Sequence, residues 1–196
     1  MTGFLVLHGW RNRRPPDHWH RLLVDELRAD GHAVAYPQLP DPDEPVLDAW
    51  LSAFSAELAS VPADGERVVV AHSLGCLLWL HAAWRGLVAP QVDRVLLVAP
   101  PTPPVCRDIP ELTPFLLPDE VGADDVAGAC STPVRLVSSD DDEYAPEGAD
   151  SAYAVRFGLD ADRLTGQQHI NPDSGYGQWP AALAWCRDGS VRLTAR

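Results

Sequence analysis

Short apolar runs alternate along the chain with longer stretches in which apolar residues recur every three or four positions. Phe4-Leu5-Val6-Leu7 is the first run and Val68-Val69-Val70 the most β-branched. Runs of this length, bounded by glycine, proline or polar clusters, read as buried strands. Strands are expected near residues 4–7, 33–36, 68–72, 94–98, 134–138 and 162–165. Helices are expected near 17–30, 46–60, 74–86, 147–157 and 177–187. Leu22, Leu23 and Leu27 mark an apolar stripe on the first of these, and Trp50, Leu51, Phe54 and Leu58 one on the second. The alternation implies an α/β fold, a mainly parallel sheet of about six strands flanked by helices on both faces. No repeat and no second domain is visible, so residues 1–196 are expected to form one domain. The connections at Tyr36–Pro45 and Pro100–Pro118 are proline-rich. The second is too long for a plain turn and reads as a short lid or a substrate-facing loop, with a stiff proline spacer as the alternative.

One strand-to-helix junction carries chemistry. Arg67 to Gly75 reads R-V-V-V-A-H-S-L-G, and an apolar helix-like stretch follows from Cys76 to Leu80. A serine on the tight turn between a buried strand and a helix is the arrangement of a nucleophile elbow. Its neighbours must be small, and here Ala71 stands in the first glycine position of G-x-S-x-G while Gly75 keeps the second. The plainer reading of Ser73 is a helix cap. The first strand ends in His8-Gly9-Trp10, a loop type that donates a backbone N–H to an oxyanion, with Leu74 after the serine supplying the other.

The strand pattern at 134–138 runs into Asp140-Asp141-Asp142 and then Glu143-Tyr144-Ala145-Pro146. Acidic residues at the carboxyl end of a buried strand sit where α/β sheets place functional groups, though such triplets also occur as solvated turns or helix caps. His169 follows the last expected strand, giving the chain order Ser, Asp, His of an α/β-hydrolase triad.

Composition narrows the partners. The chain has 196 residues, 46% of them hydrophobic, enough for a sizeable core and against disorder. A net charge of −13 argues against nucleic acid or an anionic membrane as a partner, and a small-molecule substrate is expected. Cys76, Cys106, Cys130 and Cys186 lie far apart with no C-x-x-C, and the first apolar run lacks a signal peptide's basic flank. Reduced thiols and a cytoplasmic location are expected.

These residues together resemble the small α/β-hydrolase family of serine hydrolases that includes the retinoblastoma-binding serine hydrolase and many bacterial relatives. The resemblance runs from Phe4 to about Trp185 and is most specific at His169-Ile170-Asn171 and Ser174-Gly175-Tyr176-Gly177-Gln178-Trp179-Pro180. That segment is similar to the bacterial ending G-H-(I/F)-N…S-G-x-G-x-W-P. Gln168 departs from it, standing where the family has glycine. The chain has no L-x-C-x-E stretch, so no retinoblastoma association carries over.

The resemblance implies a minimal α/β-hydrolase fold. It also implies a Ser73–His169–Asp142 triad, an oxyanion site from the N–H groups of Trp10 and Leu74, no cofactor, and hydrolysis of small esters, thioesters or amides. Among the three aspartates, side chains on an extended segment would alternate in direction. In related hydrolases the acid resembles an Asp four residues before a helix-opening proline, which here selects Asp142 ahead of Asp140 or Asp141. A non-catalytic interaction module on the same frame is the rival function. His72 is expected to pack the elbow. His18 and His20, two apart, are expected on different helix faces and so not to share a metal. Trp10 and Trp179 are expected to line the pocket.

Overall fold

The computed structural model describes every residue from Met1 to Arg196. Six strands, β1 (Gly3–Leu7), β2 (Ala33–Ala35), β3 (Arg67–His72), β4 (Arg94–Val98), β5 (Arg135–Ser139) and β6 (Asp160–Leu164), form one sheet. Their order is β2-β1-β3-β4-β5-β6, and every neighbouring pair is parallel. Seven helices accompany them: α1 (Trp19–Ala29), α2 (Leu47–Ser60), α3 (Leu74–Trp84), α4 (Pro103–Asp108), α5 (Ala123–Ala129), α6 (Ala149–Phe157) and α7 (Pro180–Arg187).

Successive strand residues point to opposite faces, and the sheet is apolar on both. Phe4, Val6, Val68, Val70, Leu96 and Val98 pack beneath α1 and α7. Leu5, Leu7, Val69, Ala71, Val95, Leu97 and Leu136 pack beneath α2, α3, α5 and α6. Helix α3 lies at the centre of that second layer, against β3 and between α2 and α5. Every residue from Leu74 to Ala83 is therefore buried, which is why this stretch is apolar all round rather than on one stripe.

The expected strands and five expected helices are present; α4 and α5 were not expected. Helix α4 opens on Pro103-Pro104, in the first turn, where a missing N–H leaves no intrahelical bond unmade. The proline run is thus a helix start rather than a spacer, and a 3-10 turn at Thr113–Phe115 completes a packed segment with Cys106, Leu112 and Phe115 buried. Helix α5 is only seven residues long and is capped by Asp125, whose Oδ2 accepts from Gly122 N–H at 2.9 Å. Helix α7 begins at Pro180, later than expected, because a 3-10 turn at Pro172–Ser174 and the loop after it occupy the preceding residues.

The winding places the site. From β1 the chain moves outward to β2, and from β3 it moves the other way through β4, β5 and β6. The loops leaving β1 and β3 therefore diverge and leave a crevice at the carboxyl ends of the strands. Register pairs Leu7 with Ala71, so His8-Gly9 emerges beside His72-Ser73.

Candidate active site

Ser73 lies between β3 and α3 with φ 54° and ψ −127°, a conformation that costs a non-glycine residue about 1–3 kcal/mol. Its backbone N–H is tied to Val98 O at 2.8 Å, so β4 holds the turn in place. Two glycines let the backbones meet. A Cβ on Gly75 would come within 2.8 Å of His8 O and 2.9 Å of Leu7 O, and one on Gly9 within 2.6 Å of Ser73 Cβ. Ala71, in the first small-residue position, is fully buried between Leu7 and Leu97.

Ser73, His169 and Asp142 come together in one hydrogen-bonded chain. Ser73 Oγ is 2.9 Å from His169 Nε2. His169 Nδ1 is 3.0 and 2.9 Å from the two carboxylate oxygens of Asp142. Asp142 is 1% exposed, and its Oδ1 also accepts from Tyr144 N–H at 2.9 Å. The Tyr144 ring lies against the imidazole, with centroids 4.5 Å apart. Asp140 and Asp141 turn elsewhere, to the backbone of Gly166 and Gln168. The alternation argument does not decide among them, because β5 ends at Ser139 and the aspartates lie on a turn.

The N–H groups of Trp10 and Leu74 donate to no carbonyl of the surrounding loops; Leu74 directly follows Ser73, and Trp10 follows Gly9, which packs on Ser73. His8 braces the first of them, a role the sequence reading missed. Its Nε2 accepts from Leu39 N–H at 2.8 Å, so Nδ1 carries the proton and donates to Gly9 O at 2.8 Å. That carbonyl belongs to the Gly9–Trp10 peptide, whose N–H must then point the opposite way.

These groups open on a cavity of about 630 Å³ lined mainly by polar residues, including Arg11, Asn12, Asp17, Glu143 and Asn171. Trp10 lines it, and so does Leu112 from the segment after α4. Trp179 does not: it is buried against Trp19 and Tyr176, donating to Thr194 O.

Four imidazoles gather at this cavity, three of them, His18, His72 and His169, lining it. His18 precedes α1 as its cap instead of lying on it, and its Nδ1 accepts from His20 N–H. The His18 and His20 rings consequently sit 4.9 Å apart, correcting the expectation that they face apart. His72 packs between these two and His169, and its Nε2–H donates to His169 O at 2.9 Å. No three His, Cys, Asp or Glu side chains converge as metal ligands.

Burial holds His8, His18, His20 and His72 neutral. It pushes His8 and His18 from 6.5 down to about 4, and His20 and His72 well below 6.5. An unfolded chain would protonate all four below 6.5, so it binds more protons than the folded one and stability falls as pH drops from 6.5 towards 4. His8 and His18 each contribute up to about 1.4 kcal/mol per pH unit in that window, and His20 and His72 act in the same direction. Urea titrations should therefore show the unfolding free energy falling steeply over it. A flat profile would show that the imidazoles titrate alike in both states.

A sheet wound outward from two central strands, with a serine on the turn into a buried helix, is the architecture of the α/β hydrolases. Within that class the chain belongs to the serine hydrolase family, whose model matches residues 4–187. It is 31% identical over 94 residues to YdeN of Bacillus subtilis (strain 168), a match spanning about half of each protein, 48% of this chain and 48% of that one. The crystal structure of the B. subtilis ydeN product superposes with a TM-score of 0.78 at 20% identity, covering 95% of this chain and 96% of that one. A YdeN-like protein from Pectobacterium atrosepticum gives 0.70 at 21%, covering 94% and 88%. Est1E from Butyrivibrio proteoclasticus, solved with ferulic acid bound, gives 0.57 at 20%, covering 86% and 81%. No helix is long and apolar enough to cross a membrane.

Proposed function

We propose that the protein hydrolyses carboxylic esters bearing small acyl groups through an acyl-enzyme, with Ser73 as nucleophile. The observation that carries this reading is the unbroken relay from Ser73 Oγ through His169 to Asp142. A neutral serine hydroxyl is a weak nucleophile, and His169 Nε2 is placed to accept its proton as it attacks the carbonyl carbon. Asp142 holds the proton on Nδ1, leaves Nε2 free to accept, and stabilises the imidazolium that forms. The N–H groups of Trp10 and Leu74 receive the oxyanion of the tetrahedral intermediate, stabilisation worth several kcal/mol of barrier. His169 then returns the proton to the departing alkoxide. Water repeats the sequence on the acyl-enzyme and releases the acid.

Few apolar side chains line the cavity, which supports a short acyl group over a long alkyl chain. A fold neighbour that holds ferulic acid, a carboxylic acid of the kind ester hydrolysis releases, supports the same chemistry. A fluorophosphonate probe should label the protein on the peptide carrying Ser73. In a p-nitrophenyl ester series, kcat/KM for acetate should exceed that for decanoate by at least about tenfold. A protein that resisted the probe and hydrolysed no ester of the series would overturn the reading.

A further inference from the structure

The backbone around His169 is held in an unfavourable shape. Gln168 has φ +49° and Ile170 φ +51°, so two non-glycine residues in the left-handed region bracket the imidazole. Neither side chain favours that region, and a β-branched residue favours it least. Such a conformation persists only where the surroundings over-determine it. Three contacts do so here. His72 Nε2–H holds the carbonyl of His169 at 2.9 Å, and Trp19 Nε1–H holds that of Ile170 at 2.9 Å. On the amino side the hold is Asp141, whose Oδ1 accepts from Gln168 N–H at 2.7 Å.

Asp141 is part of a larger pattern. The β5–β6 ladder reaches Ser139 and Leu164, and Asp140 N–H adds one more bond to Leu164 O. Beyond that point side chains continue to tie the two segments together. Ser139 Oγ accepts from Gln167 N–H at 2.9 Å, Asp140 Oδ1 from Gly166 N–H at 2.9 Å, and Asp142 takes His169 Nδ1. Ser139 O–H donates in turn to Asp141 Oδ1 at 2.7 Å, locking the carboxylate towards the loop. The Ser139 hydroxyl and the Gln168 N–H hold the Asp141 carboxyl below the usual carboxylate range. Asp141 is exposed and lies outside the relay, so its interactions are all spent on the loop.

We propose that Asp141, locked by Ser139, is a positioning residue that keeps the strained Gln168–His169 backbone in register so that His169 Nε2 meets Ser73 Oγ. The proposal rests on the reading of His169 as the base. It also accounts for a glutamine where a glycine would adopt φ +49° unaided: the side-chain acceptor supplies externally what the residue lacks. A misplacement of about 1 Å can lower a rate by about a hundredfold, which sets the size of effect to look for.

The test compares D141A, D141N, S139A and D141A/Q168G on p-nitrophenyl acetate, with hydrogen exchange across residues 166–170 measured in parallel. D141A is expected to lose roughly ten- to a hundredfold in kcat with KM nearly unchanged, and to exchange faster in that segment. D141N keeps an oxygen acceptor of the same shape and is expected within tenfold of the parent, with the parent's exchange pattern. S139A should move both readouts in the same direction as D141A. Adding Gln168→Gly to D141A should recover part of the lost kcat, because glycine accepts the left-handed conformation. A D141A variant with full kcat would overturn the proposal while leaving His169 as base. D141N as damaged as D141A would overturn it as well, by showing that charge matters and position does not. The base reading fails separately if His169→Ala is as active as the parent, and the exchange data still report on the clamp in that case.

Discussion

Replacing Ser73 by alanine is expected to leave a folded protein whose ester hydrolysis has fallen by about 10⁶-fold in kcat. The size follows from a unit in which nucleophile and base act together, so that removing one forfeits the rate they produce jointly. Folding should survive because alanine also carries a Cβ, and the turn at φ 54° already accommodates one beside Gly9. The Ser73 N–H that ties the turn to Val98 O belongs to the backbone and is retained. Fluorophosphonate labelling should vanish, while the thermal midpoint stays within a few degrees of the parent. Hydrolysis above about one per cent of the parent rate would show that the nucleophile lies elsewhere.

Asp142→Asn is expected to lower kcat by about 10⁴-fold with little change in KM, the scale set by the tautomer it enforces. Tyr144 N–H is a fixed donor aimed at Oδ1, so an asparagine there keeps its carbonyl oxygen on Tyr144. Its amide nitrogen then takes the Oδ2 position, 2.9 Å from His169 Nδ1. An amide N–H donates to Nδ1, which moves the imidazole proton to Nε2, where it faces Ser73 Oγ and cannot accept from it. Steady-state kinetics on p-nitrophenyl acetate reads this directly. Loss of less than about tenfold in the Asp142→Asn variant would place the orienting acid elsewhere.

Much of this arrangement was legible in the residues because it is local. The run Val68–Val70 ending at Ser73, with small residues on either side, specifies strand, turn and helix within nine positions. Which aspartate meets His169 was legible only through the spacing to Pro146, since three adjacent aspartates share one composition and one environment in sequence. Contacts made by folding were not legible. His72 with His169, Ser139 with Gln167 and Asp141 with Gln168 join residues far apart in the chain, and no periodicity announces them. His18 and His20 were misplaced for a related reason. Helical facing rules apply only inside a helix, and His18 stands just before one. The short helices α4 and α5 escaped notice because six or seven residues hold too few turns to display a stripe.

The segment between β4 and α5 bears on how such a protein changes over generations. Cys106 and Phe115 anchor it in the core and Leu112 touches the cavity, while Pro110, on the bend that follows α4, is exposed. Doubling the length of a flexible loop adds only about 0.6 kcal/mol of closure entropy. Extra residues inserted at that exposed tip would arrive beside the substrate without disturbing either anchor. Helix α3, by contrast, is enclosed on every side and leaves no room for experiment. An insertion at that one surface bend would thus alter what the cavity meets while leaving the serine turn as it is.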